Sequence, residues 1–201
     1  MILVGRYTSP FVRRVAISLR LLELPFDRNE INPAAAREQV TAINPLGRVP
    51  ALVLDDGEVL IDSAAILDYL DERVGPQRAL VPPAGTPRRH VLKAVALAQG
   101  VMEKSLACYI EGKLRPAETL CQSLFDRFLD QARRGLAALE AMAGEDWLCE
   151  GRLTQADISA VAAIDFLALT QPGAIALEPL PRLQAVHRRT AGLPAFAETH
   201  P

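Results

Sequence analysis

Short apolar runs separated by turn residues fill the first third of the chain, and long stripes of helical period fill the rest. Ile2 to Val4 reads as a short buried strand. Ser9 is a favoured N-cap and Pro10 a favoured first helical residue, so a helix begins there and runs through Val12 to Leu22, with Val15, Leu19 and Leu22 on one face. Leu24-Pro25 stops it. Phe26 to Ile31 is a second strand, parallel to the first because the helix carries the crossover, and Ala34 to Ile43 is a weaker helix. Ala51 to Leu54 is apolar enough for a buried strand, Asp55-Asp56-Gly57-Glu58 is a hairpin turn, and Val59 to Ile61 is the antiparallel partner. Ala64, Ile66, Leu67, Tyr69 and Leu70 mark the next helix, entered through Asp62-Ser63. The order βαβ, α, ββα describes a small mixed sheet with helices, closing near Arg73.

Residues 75 to 87 lose this periodicity and gather Gly75, Pro76, Pro82, Pro83, Gly85 and Pro87, the mark of a boundary. The predicted organisation is a domain over 1–75, a linker over 76–87 and an all-helical domain over 88–201. Helical stretches at 88–114 and 117–143 exceed the usual length of a globular helix, so a bend or interruption is expected. Thr154-Gln155-Ala156-Asp157 is a capping signal, with Leu153 and Ile158 placed as a hydrophobic staple across it. The stretch Ile158 to Leu169 is apolar nearly all round and predicts the buried centre of the second domain. Pro181 to Arg189 and Pro194 to Ala197 supply terminal helices.

Composition narrows the function classes. Of 201 residues half are hydrophobic and only 5% aromatic, the formal net charge is -2, and no basic stripe interleaves with aromatics, which argues against a nucleic-acid partner. No apolar run reaches the roughly 20 residues that span a bilayer, and the start of the chain is too short for a signal-peptide core. Cys108, Cys121 and Cys149 lack metal-ligand spacing and read as reduced thiols packed as small hydrophobes in a cytoplasmic protein. The first 100 residues contain no cysteine.

The run Asn44-Pro45-Leu46-Gly47-Arg48-Val49-Pro50-Ala51-Leu52 places a proline, which cannot donate to a ladder, at the mouth of a strand. It resembles the signature loop of the glutathione transferase family, in which a cis proline opens the third strand of a thioredoxin-like domain. The resemblance extends over the whole chain: an α/β thioredoxin-like half, a proline-rich linker, and an all-helical half with a capped central helix. Ser9-Pro10-Phe11 is similar to the run of the plant tau class. Tyr7 to Arg13 and Phe196-Ala197-Glu198-Thr199 are similar to a bacterial YibF-type subgroup.

The resemblance implies glutathione as co-substrate, no metal, a small electrophile as second substrate, detoxification chemistry and a homodimer. It places Ser9 as the hydroxyl that donates to the glutathione sulfur. At a helix N-terminus a thiol of reference pKa near 8.5 falls to about 6–7 and becomes a ready nucleophile. On sequence alone Ser9 is equally an ordinary N-cap, and Thr8 and Tyr7 compete for the role, Tyr7 otherwise serving as a wall of the acceptor pocket or as packing. The family pattern further implies that the Val49 backbone, ahead of Pro50, pairs with the ligand as in strand addition. Asp62, where Glu or Gln is usual, faces the γ-glutamyl ammonium, and Ser63 its carboxylate. Arg48 offers a cation to the glycine end or is merely a solvated loop residue, and Phe11 flanks the thiol or packs into the domain interface. Lys104, Tyr109 and Arg115 are candidates for the acceptor site. A serine cannot form a mixed disulfide, so addition or substitution is favoured over thiol transfer. The alternative function is a non-catalytic, transferase-like binding or protein-interaction module.

Overall fold

The structure, a computed structural model, describes residues 1–174 and 179–201. Strands β1 (Ile2–Val4), β2 (Asp27–Asn29), β3 (Ala51–Val53) and β4 (Val59–Ile61) form one sheet in the order β2-β1-β3-β4. β1 and β2 are parallel, as a crossover through helix α1 (Pro10–Leu21) requires, and the other two pairings are antiparallel. The second strand is shorter than Phe26 to Ile31. It keeps only three exposed residues, and Asp27 and Arg28 on this open edge discourage pairing with another chain.

Helix α1 is buried from Val12 to Leu19, because β1, helix α3 (Ser63–Val74) and the short helix α8 (Pro194–Ala197) all pack on it. Helix α2 (Arg37–Ile43) starts later than Ala34. The Asn32 side chain accepts the Ala34 N–H at 3.0 Å and holds the preceding residues in a turn.

The chain divides into two compact units, Met1–Pro83 with Ala191–Pro201, and Ala84–Thr190. The end of the chain, which the sequence reading groups with the helical domain, therefore returns to the first unit. Phe196, 2% exposed, is buried there.

In the second unit α4 (Gly85–Tyr109) packs against α5 (Gln122–Met142) and α6 (Gln155–Thr170), and α7 (Pro181–Ala191) follows. The expected interruption is a π-helical turn, Ile110–Leu114, and a 3-10 turn, Ala117–Thr119. Gly135 brings α5 close to α4, since a Cβ there would lie 2.6 Å from Val101 Cγ2. Helix α6 is buried along nearly its whole length, and its capping box is complete. Asp157 accepts from the Leu148 N–H at 2.8 Å, the Thr154 N–H at 2.8 Å and the Thr154 hydroxyl at 2.9 Å. Burial nevertheless raises its carboxyl above the ordinary 3.8, because desolvation outweighs these bonds.

Cys108 and Cys149 are buried as expected, and desolvation raises both thiols, Cys149 to about 11. Cys121 is a correction: it is exposed, just before α5, and the Ser123 hydroxyl beside it lowers its pKa. It lies in a stretch, 112–123, in which every residue is exposed.

Candidate functional site

Strand register gathers three loops. Val4 lies opposite Ala51, and Ala51 opposite Ile61. The segments that follow Val4, precede Ala51 and follow Ile61 therefore leave the sheet at one edge, and they carry Ser9, Val49-Pro50 and Asp62-Ser63. Gly5 closes this edge. Its φ is 125°, and a Cβ would stand 2.6 Å from Val12 Cγ2 and 3.0 Å from Val49 Cβ, so only glycine lets β1 end against both. Gly5→Ala is expected to cost about 1–3 kcal/mol of stability, because neither β-branched neighbour yields cheaply. Urea denaturation is the check: an unchanged midpoint would show that the edge is loose.

Ser9 is half-buried at the N-cap of α1, and its Oγ accepts the Val12 N–H at 3.5 Å, the outer limit of a hydrogen bond. Its hydroxyl proton can therefore be directed elsewhere. The first turn of α1 holds no acid, and Arg13 and Arg14, both buried, follow directly. Cations near a helix N-terminus oppose the macrodipole but strengthen the field offered to an anion there.

Thr8 is exposed. Tyr7 is only 6% exposed, with the Arg28 guanidinium 3.6 Å over its ring, and its hydroxyl has no hydrogen-bond partner among the described residues. Phe11 is half-buried, its ring 6.0 Å from the Arg14 guanidinium.

The loop before β3 is built on Asn44, 2% exposed. Its Nδ2 donates to the Arg48 carbonyl at 2.8 Å, its Oδ1 accepts the Leu46 N–H at 3.0 Å, and its carbonyl accepts the Gly47 N–H at 2.8 Å. The Val49-Pro50 peptide is cis. Among the described residues the Val49 backbone makes no hydrogen bond. Arg48 is exposed.

Asp62 has φ 68° and ψ 132°, outside the regions an aspartate ordinarily occupies, and its Oδ1 caps α3 by accepting the Ala64 N–H at 2.8 Å. Strain of this kind gathers at ligand clamps. Asp62 is exposed. Ser63 is 2% exposed, and its hydroxyl accepts from Arg14 Nε at 3.1 Å and Nη2 at 2.6 Å. The Arg14 charge thus stands beneath the start of α3.

Lys104, Tyr109 and Arg115 belong to the second unit. Lys104 Nζ lies 5.4 Å from the Phe128 ring centre, and Tyr109 ends α4 half-buried. Arg115 donates to the buried Glu111 at 2.8 Å, so its charge is largely compensated within the helical turn.

The sequence does not by itself single out Gly5 or Arg14, and it shows Asn44 only as the first residue of the loop before Pro50. The signals were present. Two arginines interrupt the apolar run of α1, and an Asn-Pro dipeptide opens a turn with a side-chain acceptor. What was missing was the partner of each.

Residues 3–78 match the family model of the glutathione S-transferase N-terminal domain, and residues 122–189 that of the C-terminal domain. The Escherichia coli K12 protein described as uncharacterized GST-like protein YibF is 34% identical over 167 residues, 83% of this chain and 82% of that protein. A maleylacetoacetate isomerase of Pseudomonas aeruginosa is 30% identical over 202 residues, 98% of this chain and 92% of its own length. The crystal structure of a glutathione transferase family member from Pseudomonas fluorescens Pf-5 with bound glutathione superposes with a TM-score of 0.87 at 32% identity. It covers 100% of this chain and 98% of that one.

Proposed function

The chain belongs to the glutathione S-transferase family, and on that premise we propose that it is a glutathione transferase that prepares the thiolate of glutathione for attack on small electrophiles. The observation that carries this reading is Ser9: a hydroxyl at the N-terminus of α1, bound only at 3.5 Å by the helix and backed by the buried Arg13 and Arg14. The residues around it fit the peptide. The Val49 N–H and C=O pair with its cysteine backbone, and Asp62 has one carboxylate oxygen left for the γ-glutamyl ammonium. The α3 N-terminus, with Arg14 behind it, attracts the γ-glutamyl carboxylate, while Arg48 stands for the glycine end. Ser63 contributes its N–H, since its hydroxyl is held by Arg14.

Ser9 donates its proton in a hydrogen bond to the sulfur and stabilises the charged form, so the thiol loses its proton near neutral pH. A carbon–sulfur bond then forms at the electrophile, and the displaced group leaves or the adduct takes up a proton. The same reading makes the working unit a cytoplasmic homodimer, checked by its mass in solution.

Isomerisation is the second reading, favoured by the relative that covers 98% of the chain. There the thiolate adds to a double bond and is expelled again after rotation, so glutathione is not consumed. The test follows thiolate absorbance of glutathione mixed with the protein against pH, then the fate of glutathione during turnover. An apparent pKa well below that of free glutathione supports an activated sulfur. Stoichiometric loss of glutathione indicates transfer, and undiminished glutathione with product formed indicates isomerisation. No shift at saturating glutathione would leave the non-catalytic binding module as the reading.

A further inference from the structure

Helix α1 is held from two sides. Toward α3 its fastening is Arg14 on the Ser63 hydroxyl. On another face stand Arg13 and Arg20, seven positions apart and so on one stripe of the helix. Both reach the C-terminal segment. Arg13, 2% exposed, donates from Nε to the Thr199 carbonyl at 3.0 Å and from Nη2 to the Phe196 carbonyl at 3.5 Å, and Arg20 pairs with Glu198. The segment is ordered by its own contacts: Phe196 is 2% exposed, and Thr199, fully buried, returns its hydroxyl to the Ala195 carbonyl at 2.8 Å.

Arg13 also touches the other end of the problem. Its backbone N–H donates to the Ser9 carbonyl at 2.9 Å, one helical turn away. A residue whose main chain fixes Ser9 and whose side chain is fixed by the tail transmits the position of one to the other. Burying a guanidinium against main-chain carbonyls is costly unless the geometry holds, so the pairing is specific rather than incidental.

We propose that Arg13 is a positioning residue for the thiol-activating end of α1, and that the C-terminal segment Ala191–Pro201 is part of the glutathione site through it. The proposal rests on the reading of Ser9 above. The tail acts without touching the ligand: it holds the guanidinium, the guanidinium holds the first turn, and the first turn aims the Ser9 hydroxyl and adds positive potential behind it.

The test uses the full chain with Arg13→Met, Arg13→Lys and Phe196→Ala, the last loosening the tail while leaving the arginine in place. Two readouts are taken: the apparent pKa of bound glutathione by thiolate absorbance, and amide hydrogen exchange in the first turn of α1. Arg13→Met is expected to raise the thiol pKa by about 0.5 unit and to speed exchange at residues 12–15. Arg13→Lys restores most of the shift, and Phe196→Ala moves both readouts in the same direction as Arg13→Met. A lowered melting temperature with thiol pKa and first-turn exchange both unchanged makes Arg13 a structural residue only and overturns the proposal. If the unmodified protein itself shows no depressed thiol pKa, the Ser9 reading is what fails. Exchange then decides only what remains of the proposal: unchanged rates in Arg13→Met overturn the anchoring of the first turn as well, and faster rates confined to residues 12–15 uphold that anchoring without a role in thiol activation.

Discussion

Replacing Ser9 by alanine is expected to leave glutathione bound and to slow turnover of a model electrophile at least about tenfold, a barrier increase of roughly 1.4 kcal/mol. Two effects of the substitution have to be separated. Loss of an N-cap typically costs about 1 kcal/mol of stability, and a bond as long as 3.5 Å belongs at the low end of that range. On the proposed reading the effect on turnover comes from the other use of the hydroxyl, donation to a sulfur that must stay ionised. On the same proposed reading affinity survives, because Val49, Asp62 and the α3 N-terminus would hold parts of the peptide that do not react. The measurements are kcat, the glutathione dissociation constant and the melting temperature of Ser9→Ala beside Ser9→Thr, which keeps a hydroxyl. Undiminished kcat with a slightly lower melting temperature would reduce Ser9 to a cap. The role would then pass to Thr8, whose side chain is exposed, ahead of Tyr7, whose hydroxyl is buried.

The largest effect on stability is expected from Asp157→Ala. The substitution strands two main-chain N–H groups and a hydroxyl inside the second unit, at about 1–3 kcal/mol for each buried donor left unpaired. Against this stands the relief of a carboxylate that burial disfavours. Three lost partners outweigh one relieved charge, and a net loss of about 3 kcal/mol is a large part of the 5–15 kcal/mol that usually holds a domain. Chemical denaturation measures it, and a loss under 1 kcal/mol would show that the loop before α6 finds other acceptors.

Asp157→Asn isolates the charge. The folded carboxyl has a pKa above the ordinary 3.8, so in the window just above 3.8 the folded protein holds a proton that the unfolded chain has released. Stability supplied by the native aspartate therefore falls as pH rises through that window and stays lower at neutrality. The advantage of the unmodified protein over Asp157→Asn should be greater at pH 4 than at pH 7. The opposite trend would mean that the hydrogen bonds, not burial, dominate the carboxyl.

Local chemistry made most of the framework legible. Ser9-Pro10 announces a helix start through a side-chain acceptor and a preset φ, and both operate within a few residues. The hairpin at Asp56-Gly57, the capping box at Thr154 and the apolar α6 are decided over similarly short distances. Edges were less legible. Phe26 and Ile31 have strand-like side chains, but ladder pairing with β1 extends only over Asp27–Asn29. Cys121 has the composition of a buried residue and an exposed place, because exposure depends on where the α4–α5 break leaves it.

The sequence by itself determined the two halves, the helix that begins at Ser9, and the loop that ends at Pro50, since each follows from propensity, capping or a recognisable motif within about ten residues. Tertiary structure alone decided that Ser63 would give its hydroxyl to Arg14, that Gly5 must be bare to admit Val12 and Val49, and that the last residues would return to grip Arg13. Those pairs are separated by 49 and 186 positions in the two hydrogen-bonded cases. A buried charge or a close approach is defined by its partner, and no short window along the chain holds Ser63 with Arg14, Gly5 with Val49, or Arg13 with Thr199.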